Sequence, residues 1–289
     1  MCTVINLSSD KHYFGRTLDM ASSPGESVAA VPRGYPLTFG SKGEVARHYA
    51  FVGTAHIVGG VPLFYDAVNE HGLCCAALRF ADECVYSDKP SGALELSSFE
   101  LIPYVMAHFR SVGEAASGLE GLSISSASFS EALPPSPLHY IISDSCGSLI
   151  IEPTDRGVSF YESNSGVLTN SPEYPIQLAI YGSGATFDPL DLSSSARFCK
   201  GMRLLKKCTP KTELEMNAVM GAVSVIRGLD TGAVLAHRTV YTCVIDSASC
   251  KYTLRHESSP FAFTVSLMDE ARDSSEIKIY ELKYGGVQS

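Results

Sequence analysis

Polar and apolar positions alternate loosely along the β-rich CTVINLSS at residues 2–9, and HYFGRTLDM follows at 12–20 after the turn-like SSDK. A period of two marks strands, so the pattern predicts a β-hairpin that begins at residue 2. ESVAAVPRGYP predicts a further strand, ended by Pro-Arg-Gly. YAFVGTAHIV, PLFYDAVNE and GLCCAALRF predict three more, the last two joined by a turn at NEHG.

Near residue 97 the period changes. SSFELIPYVMAHFRSVGEAASGLEGL carries apolar residues at helical spacing, with Ser97 or Ser98 as a cap and Ser111 opening a second helical piece. The Ser- and Pro-rich SISSASFSEALPPSP reads as a loop. LHYIISDSCGSLIIEPTDRGVSFYES predicts a meander with turns at DSCG and TDRG, and GVLTNSP a strand end running into a turn. SSARFCKGMRLLKKC and ELEMNAVMGAVSVIRGL read as helices. TVYTCVIDSASCKYTLRHE reads as a hairpin turning at DSAS, and AFTVSLMD and EIKIYELKY as closing strands. Strands and helices thus come in segregated runs, which favours an α+β fold over a doubly wound parallel sheet. No glycine-rich phosphate fingerprint follows a strand. No repeat or linker divides the chain, so residues 2–289 are expected to form a single domain.

Composition narrows the function. With 45% hydrophobic residues, 289 residues can bury a substantial core. The net charge is −9 and no Lys/Arg run exists, which argues against a nucleic-acid partner. No apolar stretch is long enough to span a membrane. The N-terminus lacks the basic start and apolar run of an export signal, so a cytoplasmic location is expected. Nine cysteines, an odd number, then argue for reduced thiols. Neither Cys nor His spacing matches a metal site, and the reading calls for no cofactor.

The N-terminal hairpin holds the candidate chemistry. Methionine is normally removed before a small residue, which would leave Cys2 at the N-terminus. A free α-amino group has an ordinary pKa of about 7.7–8.0 and can serve as the base for the thiol of its own residue. A nearby guanidinium favours the thiolate, and Arg16 lies on the returning strand. Asp19 can hold the α-ammonium. Alternation puts Arg16 and Asp19 on opposite faces, so a bulge or a strand end must bring both to Cys2. By themselves these residues also fit a chance cysteine and a surface ion pair.

MCT followed by FGR and LD resembles the opening of the choloylglycine hydrolase family, the N-terminal-nucleophile enzymes that include bile salt hydrolases and penicillin V acylases. ESVAAVPRGYP, PLFYDAVNEHGL, LHYIISDSCGSLIIEP, GVLTNSP, SSSARF and YTCVID follow in the family's order, over nearly the whole chain. The resemblance implies a four-layer αββα sandwich and hydrolysis of a linear carboxamide. It implies Cys2 as nucleophile, Arg16 and Asp19 as its partners, Asn170 as oxyanion donor and Arg197 as the distal arginine of the site. Without it, Asn170 reads as a turn residue and Arg197 as a surface residue at a helix start.

Two departures bear on substrate. Bile salt hydrolases carry Asn, and penicillin V acylases often Tyr, where this chain has Arg79. The family uses the backbone N–H there as second oxyanion donor, and Arg79 keeps it. Its side chain could bind a substrate carboxylate or sulfonate, or point to solvent. Between Asn170 and Arg197 the chain is shorter than bile salt hydrolases, and the missing part includes a loop that reaches a neighbouring subunit. A homo-oligomer is expected, but the shortened loop counts against the usual tetramer. Phe64, Tyr65, Phe129 and Leu133 fall in regions that line the family's pocket, and packing alone would also account for each. The substrate expected is a conjugated bile salt. The alternatives are penicillin V, an acyl-homoserine lactone, a silent ligand-binding member of the family or, more weakly, a thiol redox protein.

Overall fold

The structure, a computed structural model, describes residues 1–40, 42–88, 94–225, 237–270 and 272–282. The chain opens with the expected hairpin, β1 (Cys2–Ser8) and β2 (His12–Met20). It continues through β3 (Glu26–Val31) and a small ribbon of β4 (Leu37–Phe39) and β5 (Gly43–Val45) to β6 (Phe51–Val58), β7 (Val61–Asn69) and β8 (Cys74–Arg79). After β9 (Leu94–Ser97) come α1 (Leu101–His108), α2 (Val112–Gly118) and β10 (Leu122–Ser125). A meander follows: β11 (Leu138–Asp144), β12 (Gly147–Thr154), β13 (Gly157–Ser163) and the short β14 (Val167–Leu168). Three helices, α3 (Tyr174–Gly182), α4 (Ser194–Lys207) and α5 (Glu213–Val223), precede β15 (Arg238–Asp246), β16 (Lys251–His256), β17 (Phe263–Ser266) and β18 (Lys278–Glu281).

Two antiparallel sheets form the centre, one in the order β14-β1-β2-β15-β16-β17 and one in the order β13-β12-β11-β8-β7-β6-β3-β18. Helices α4 and α5 pack on the first sheet, with α3 against α4, and α1 and α2 pack on the second, which makes the αββα sandwich. A strand in the larger sheet is covered on both faces, and this explains its sequence. In β8, Cys74, Ala76 and Leu78 enter the core between the sheets, while Cys75 and Ala77 enter the core under α1. Hence GLCCAALRF is a continuous apolar run and does not alternate. Burial raises the pKa of the thiols of Cys74 and Cys75 and makes both inert.

The structure corrects several local expectations. The start of the Ser-rich stretch is a strand, since β10 pairs in parallel with β9 from Leu122↔Leu94 to Ser125↔Ser97. Neither Ser97 nor Ser98 caps α1. Glu100 occupies that position, and its carboxylate instead accepts from the backbone N–H groups of Ser97 and Gly40. Ser111 does cap α2, accepting from Glu114 N. Helix α3 has no sequence signal, because YPIQLAIYG carries a proline in its first turn and shows a weak apolar stripe. The predicted continuation of α5 through residues 226–229, and of the last strand past 282, lies outside the described residues.

One buried histidine gives the fold a pH dependence. His12 on β2 contacts Ser143 Oγ at 3.0 Å, and burial pulls its pKa down to about 4 against the opposing pull of Asp144 and Asp246. The unfolded chain takes up this proton near 6.5, whereas the folded chain takes it up only near 4. Stability is therefore expected to fall as pH drops from about 6.5 to about 4, by on the order of 3 kcal/mol from this group. Urea unfolding at pH 7 and pH 4.5 measures the loss. An equal loss in His12→Asn would remove His12 as its cause.

Candidate active site

Alternation along β1 and β2 places Cys2, Val4, Arg16 and Leu18 on the face between the sheets, with Cys2 opposite Leu18 and Arg16 opposite Val4. Arg16 is therefore the diagonal neighbour of Cys2. Its Nη2 lies 3.6 Å from Cys2 Sγ and donates to Ala77 O at 3.1 Å, and its Nη1 donates to Asp66 Oδ2 at 2.8 Å. Arg16 and Asp66 are 1% and 0% exposed, so this is a fully buried ion pair. Desolvation works against the guanidinium charge, but Tyr241, Cys2 and Asp66 outweigh it, and the pKa of Arg16 is raised. Burial first, and then Asp66, raise the phenols of Tyr241 and Tyr252, which remain neutral. Both donate to Asp66, and Thr54 Oγ1 contacts Tyr252 OH.

Two bulges make this arrangement possible. Thr54 pairs with Asp66 but Ala55 pairs with Phe64, so Tyr65 is an extra residue in β7. The irregularity puts the sequence neighbours Tyr65 and Asp66 on the same face, and the Arg16 guanidinium lies 5.6 Å from the Tyr65 ring centroid. Gly53 meets this point: a Cβ there would lie 2.0 Å from Asp66 O. The second bulge is in β15, where Thr239 pairs with Asp19 and Tyr241 with Leu18. It sends the Tyr241 hydroxyl to the Arg16 side and the Thr239 hydroxyl to the Asp19 side. Asp19, three residues beyond Arg16, faces the helical layer. Its carboxylate accepts from Thr17 Oγ1 and Thr239 Oγ1 at 3.1 and 2.6 Å, and Thr17 Oγ1 also accepts from Thr3 N. The backbone carbonyl of Asp19 accepts from the Met1 amine.

Asn170 and Arg197 arrive from the other side. Asn170 Oδ1 accepts from Cys2 N at 2.8 Å and from Arg197 Nη2 at 2.7 Å. Two donors on one atom fix the amide's orientation, and Nδ2 donates to Arg79 O at 2.8 Å. Ser194 Oγ accepts from Asn170 N, and Gln177 Nε2 donates to Asn170 O, so α3 and α4 lock the residue. One residue earlier, His139 Nε2 meets Thr169 O, and His139 is held by Glu152. Arg197, buried on α4, also donates to Cys2 O, Thr3 Oγ1 and Leu192 O. Its guanidinium thus ties the start of β1 to Asn170 and to the approach of α4, which suits a positioning residue. Burial lowers its pKa, opposed by Asp19 and Cys2.

The pairing of β7 with β8 ends at Asp66↔Ala76. Beyond it one edge of β8 is open. Ala77 O and Arg79 O point to that edge and receive Arg16 and Asn170. Arg79 stands opposite Leu138 between two bonded positions, as Phe80 N donates to Pro137 O. Its own N–H therefore points to the same open edge, beside Asn170 Nδ2. A cavity of about 670 Å³ covers this edge, with Cys2, Arg16 and Asp19 in its wall. Phe64, Tyr65, Phe129 and Leu133 all line it, together with Phe99 and Leu138. A thiol and a buried cation in the wall of a largely apolar chamber thus meet two N–H donors at the edge of β8, a layout suited to nucleophilic attack on a carbonyl carbon.

Asp66, Tyr241, Tyr252 and Thr54 escape sequence reasoning. The only signal was a lone Asp in an otherwise apolar strand, PLFYDAVNE, where a buried charge needs a partner.

Comparisons with known proteins agree with the geometry. The model of the linear amide C–N hydrolases, choloylglycine hydrolase family, matches residues 2–183 and 176–280. The bile salt hydrolase/transferase of Lactiplantibacillus plantarum is 32% identical over 315 residues, covering 98% of this chain and 97% of that protein. The crystal structure of the C2A mutant of conjugated bile acid hydrolase from Clostridium perfringens superimposes with a TM-score of 0.91 at 25% identity, covering 98% of each chain. Penicillin V acylase from Agrobacterium tumefaciens shares the fold, with a TM-score of 0.80 at 23% identity over 98% of this chain and 92% of that one.

Proposed function

This chain belongs to the choloylglycine hydrolase family of linear amide C–N hydrolases, and from that membership we propose that it deconjugates glycine- and taurine-linked bile salts with the thiol of Cys2. The observation that carries the reading is Cys2 beside Arg16 in the wall of a 670 Å³ chamber lined by Phe64, Tyr65, Phe99, Phe129 and Leu133. A broad apolar acyl group of the steroid kind suits that lining.

Removal of Met1 frees the α-amino group of Cys2, whose nitrogen lies 2.8 Å from Asn170 Oδ1. The amine takes the thiol proton, and Sγ attacks the amide carbonyl to form a C–S bond. The second hydrogen of Asn170 Nδ2 and the N–H of Arg79 face the oxygen as it becomes negative. Collapse breaks the C–N bond, and the ammonium returns the proton to the leaving amine. Water then attacks the thioester with the amine as base, releasing the acid and restoring the thiol. Arg16 offsets charge on sulfur, Asp66 holds Arg16, and Arg197 and Asp19 position the hairpin end and Asn170.

The test combines intact mass with a substrate panel. The purified chain is expected to lack Met1, and to release free bile acid from glycocholate and taurocholate faster than phenoxyacetate from penicillin V or acid from an acyl-homoserine lactone. Retained Met1 keeps the Cys2 nitrogen in a peptide bond and overturns the mechanism. Preference for penicillin V or the lactone overturns the substrate.

A further inference from the structure

The chamber wall holds two arginines, Arg16 and Arg79, beside the imidazoles of His56 and His237, and among the described residues Arg79 is the arginine whose charge the fold does not use. Arg16 is paired with Asp66, and the carboxylate of Asp19 is occupied by two hydroxyls. Arg79 differs: among the described residues its guanidinium makes no ion pair and no hydrogen bond, and the only partner of Arg79 outside the sheet ladder is at its carbonyl oxygen. The side chain is exposed and projects from the same face of β8 as Ala77, across from Leu138, and both of those residues also line the chamber. Its own backbone N–H points to the open edge where the reacting carbonyl would sit. The guanidinium is therefore tethered within one side chain's length of the scissile bond.

We propose that Arg79 is a specificity-determining residue that binds the anionic group of the leaving amine. The inference rests on the reading of the protein as a bile salt hydrolase and adds to it which end of the substrate is recognised by charge. In a glycine or taurine conjugate the carboxylate or sulfonate lies two or three bonds from the amide nitrogen. A guanidinium fork matches either anion with paired N–H donors. The part of the chamber lined by Leu18, Leu63, Phe64, Phe99, Phe129 and Leu133 is apolar and suits the neutral acyl part, so the two ends of the substrate are sorted by chemistry. Because the oxyanion donor is the backbone N–H, changing the side chain alters this recognition without deleting that donor.

The experiment uses three choloyl amides of one acyl group: the glycine conjugate, the taurine conjugate and the neutral ethanolamine amide. kcat/KM is measured for the full chain, Arg79→Met and Arg79→Lys, at low and at high salt. Loss of a charge-assisted pair in a partly exposed site is worth about tenfold. Arg79→Met is expected to lower the preference for both anionic conjugates over the neutral amide about tenfold, through KM, and to abolish the salt dependence of that preference. Arg79→Lys is expected to restore part of it. An unchanged preference in Arg79→Met, with the conjugates still turned over, overturns the role of Arg79 and leaves the bile salt reading standing. No turnover of any of the three by the full chain overturns that reading and this inference with it.

Discussion

Cys2→Ala is expected to lose amide turnover by about 10⁴-fold or more while the protein still folds. Removing the attacking atom eliminates the covalent route, and what remains comes from binding and the oxyanion donors alone. Alanine is also small, so excision of Met1 is unaffected and the α-amine is retained. The structural cost is modest. Cys2 is 5% exposed, at the end of a strand, and loses one sulfur atom and a 3.6 Å contact with Arg16 Nη2. That amounts to about 1 kcal/mol. Glycocholate turnover together with urea unfolding checks both halves. Turnover within tenfold of the parent would remove Cys2 as nucleophile, and trapping of a thioester on Cys2 in the parent would support it directly.

Arg16→Met is expected to be the most damaging single change to the fold. Among the described residues it leaves the buried Asp66 carboxylate with the hydroxyls of Tyr241 and Tyr252 as its side-chain partners. Breaking a buried pair from one side costs about 3–5 kcal/mol, because an uncompensated charge remains in the core. The double variant Arg16→Met/Asp66→Asn removes both charges, and is expected to recover much of the stability. It is not expected to recover activity. The cation beside Cys2 Sγ is gone in both variants, and the loss of such a stabilising group costs about 100-fold. The comparison separates the two roles of Arg16. If the double variant regains turnover with its stability, Arg16 acts only as a structural counter-charge.

The two halves of this site were unequally legible. Cys2, Arg16, Asp19, Asn170 and Arg197 sit in short motifs, and a motif can be matched without knowing what each side chain touches. The network behind them has no motif. Arg16 and Asp66 are 50 positions apart, and Tyr241 lies 175 positions beyond Asp66. Asp66 and Tyr241 are each brought in by a bulge, and a bulge shifts the parity on which sequence reading of strands depends. PLFYDAVNE read by alternation puts Tyr65 and Asp66 on opposite faces. The extra residue in β7 puts them on one face. The bulge or strand end expected to bring Arg16 and Asp19 together at Cys2 is not in β2: the bulge lies in the partner strand β15, and the Asp19 carboxylate stays on the opposite face, bonded to Thr17 and Thr239.

Local chemistry thus determined the elements and the reactive end of the chain. The loose alternation of CTVINLSS, the cap at Ser111 and the uninterrupted apolar run of β8 each follow from neighbours within a few positions. Tertiary structure decided which polar groups stay unpaired. Where β7 parts from β8 after Ala76, the ladder stops supplying partners, and the carbonyls of Ala77 and Arg79 take theirs from Arg16 and Asn170. The N–H of Arg79 is left facing the chamber, because hydrogen-bond vacancies belong to strand pairing and not to residue identity.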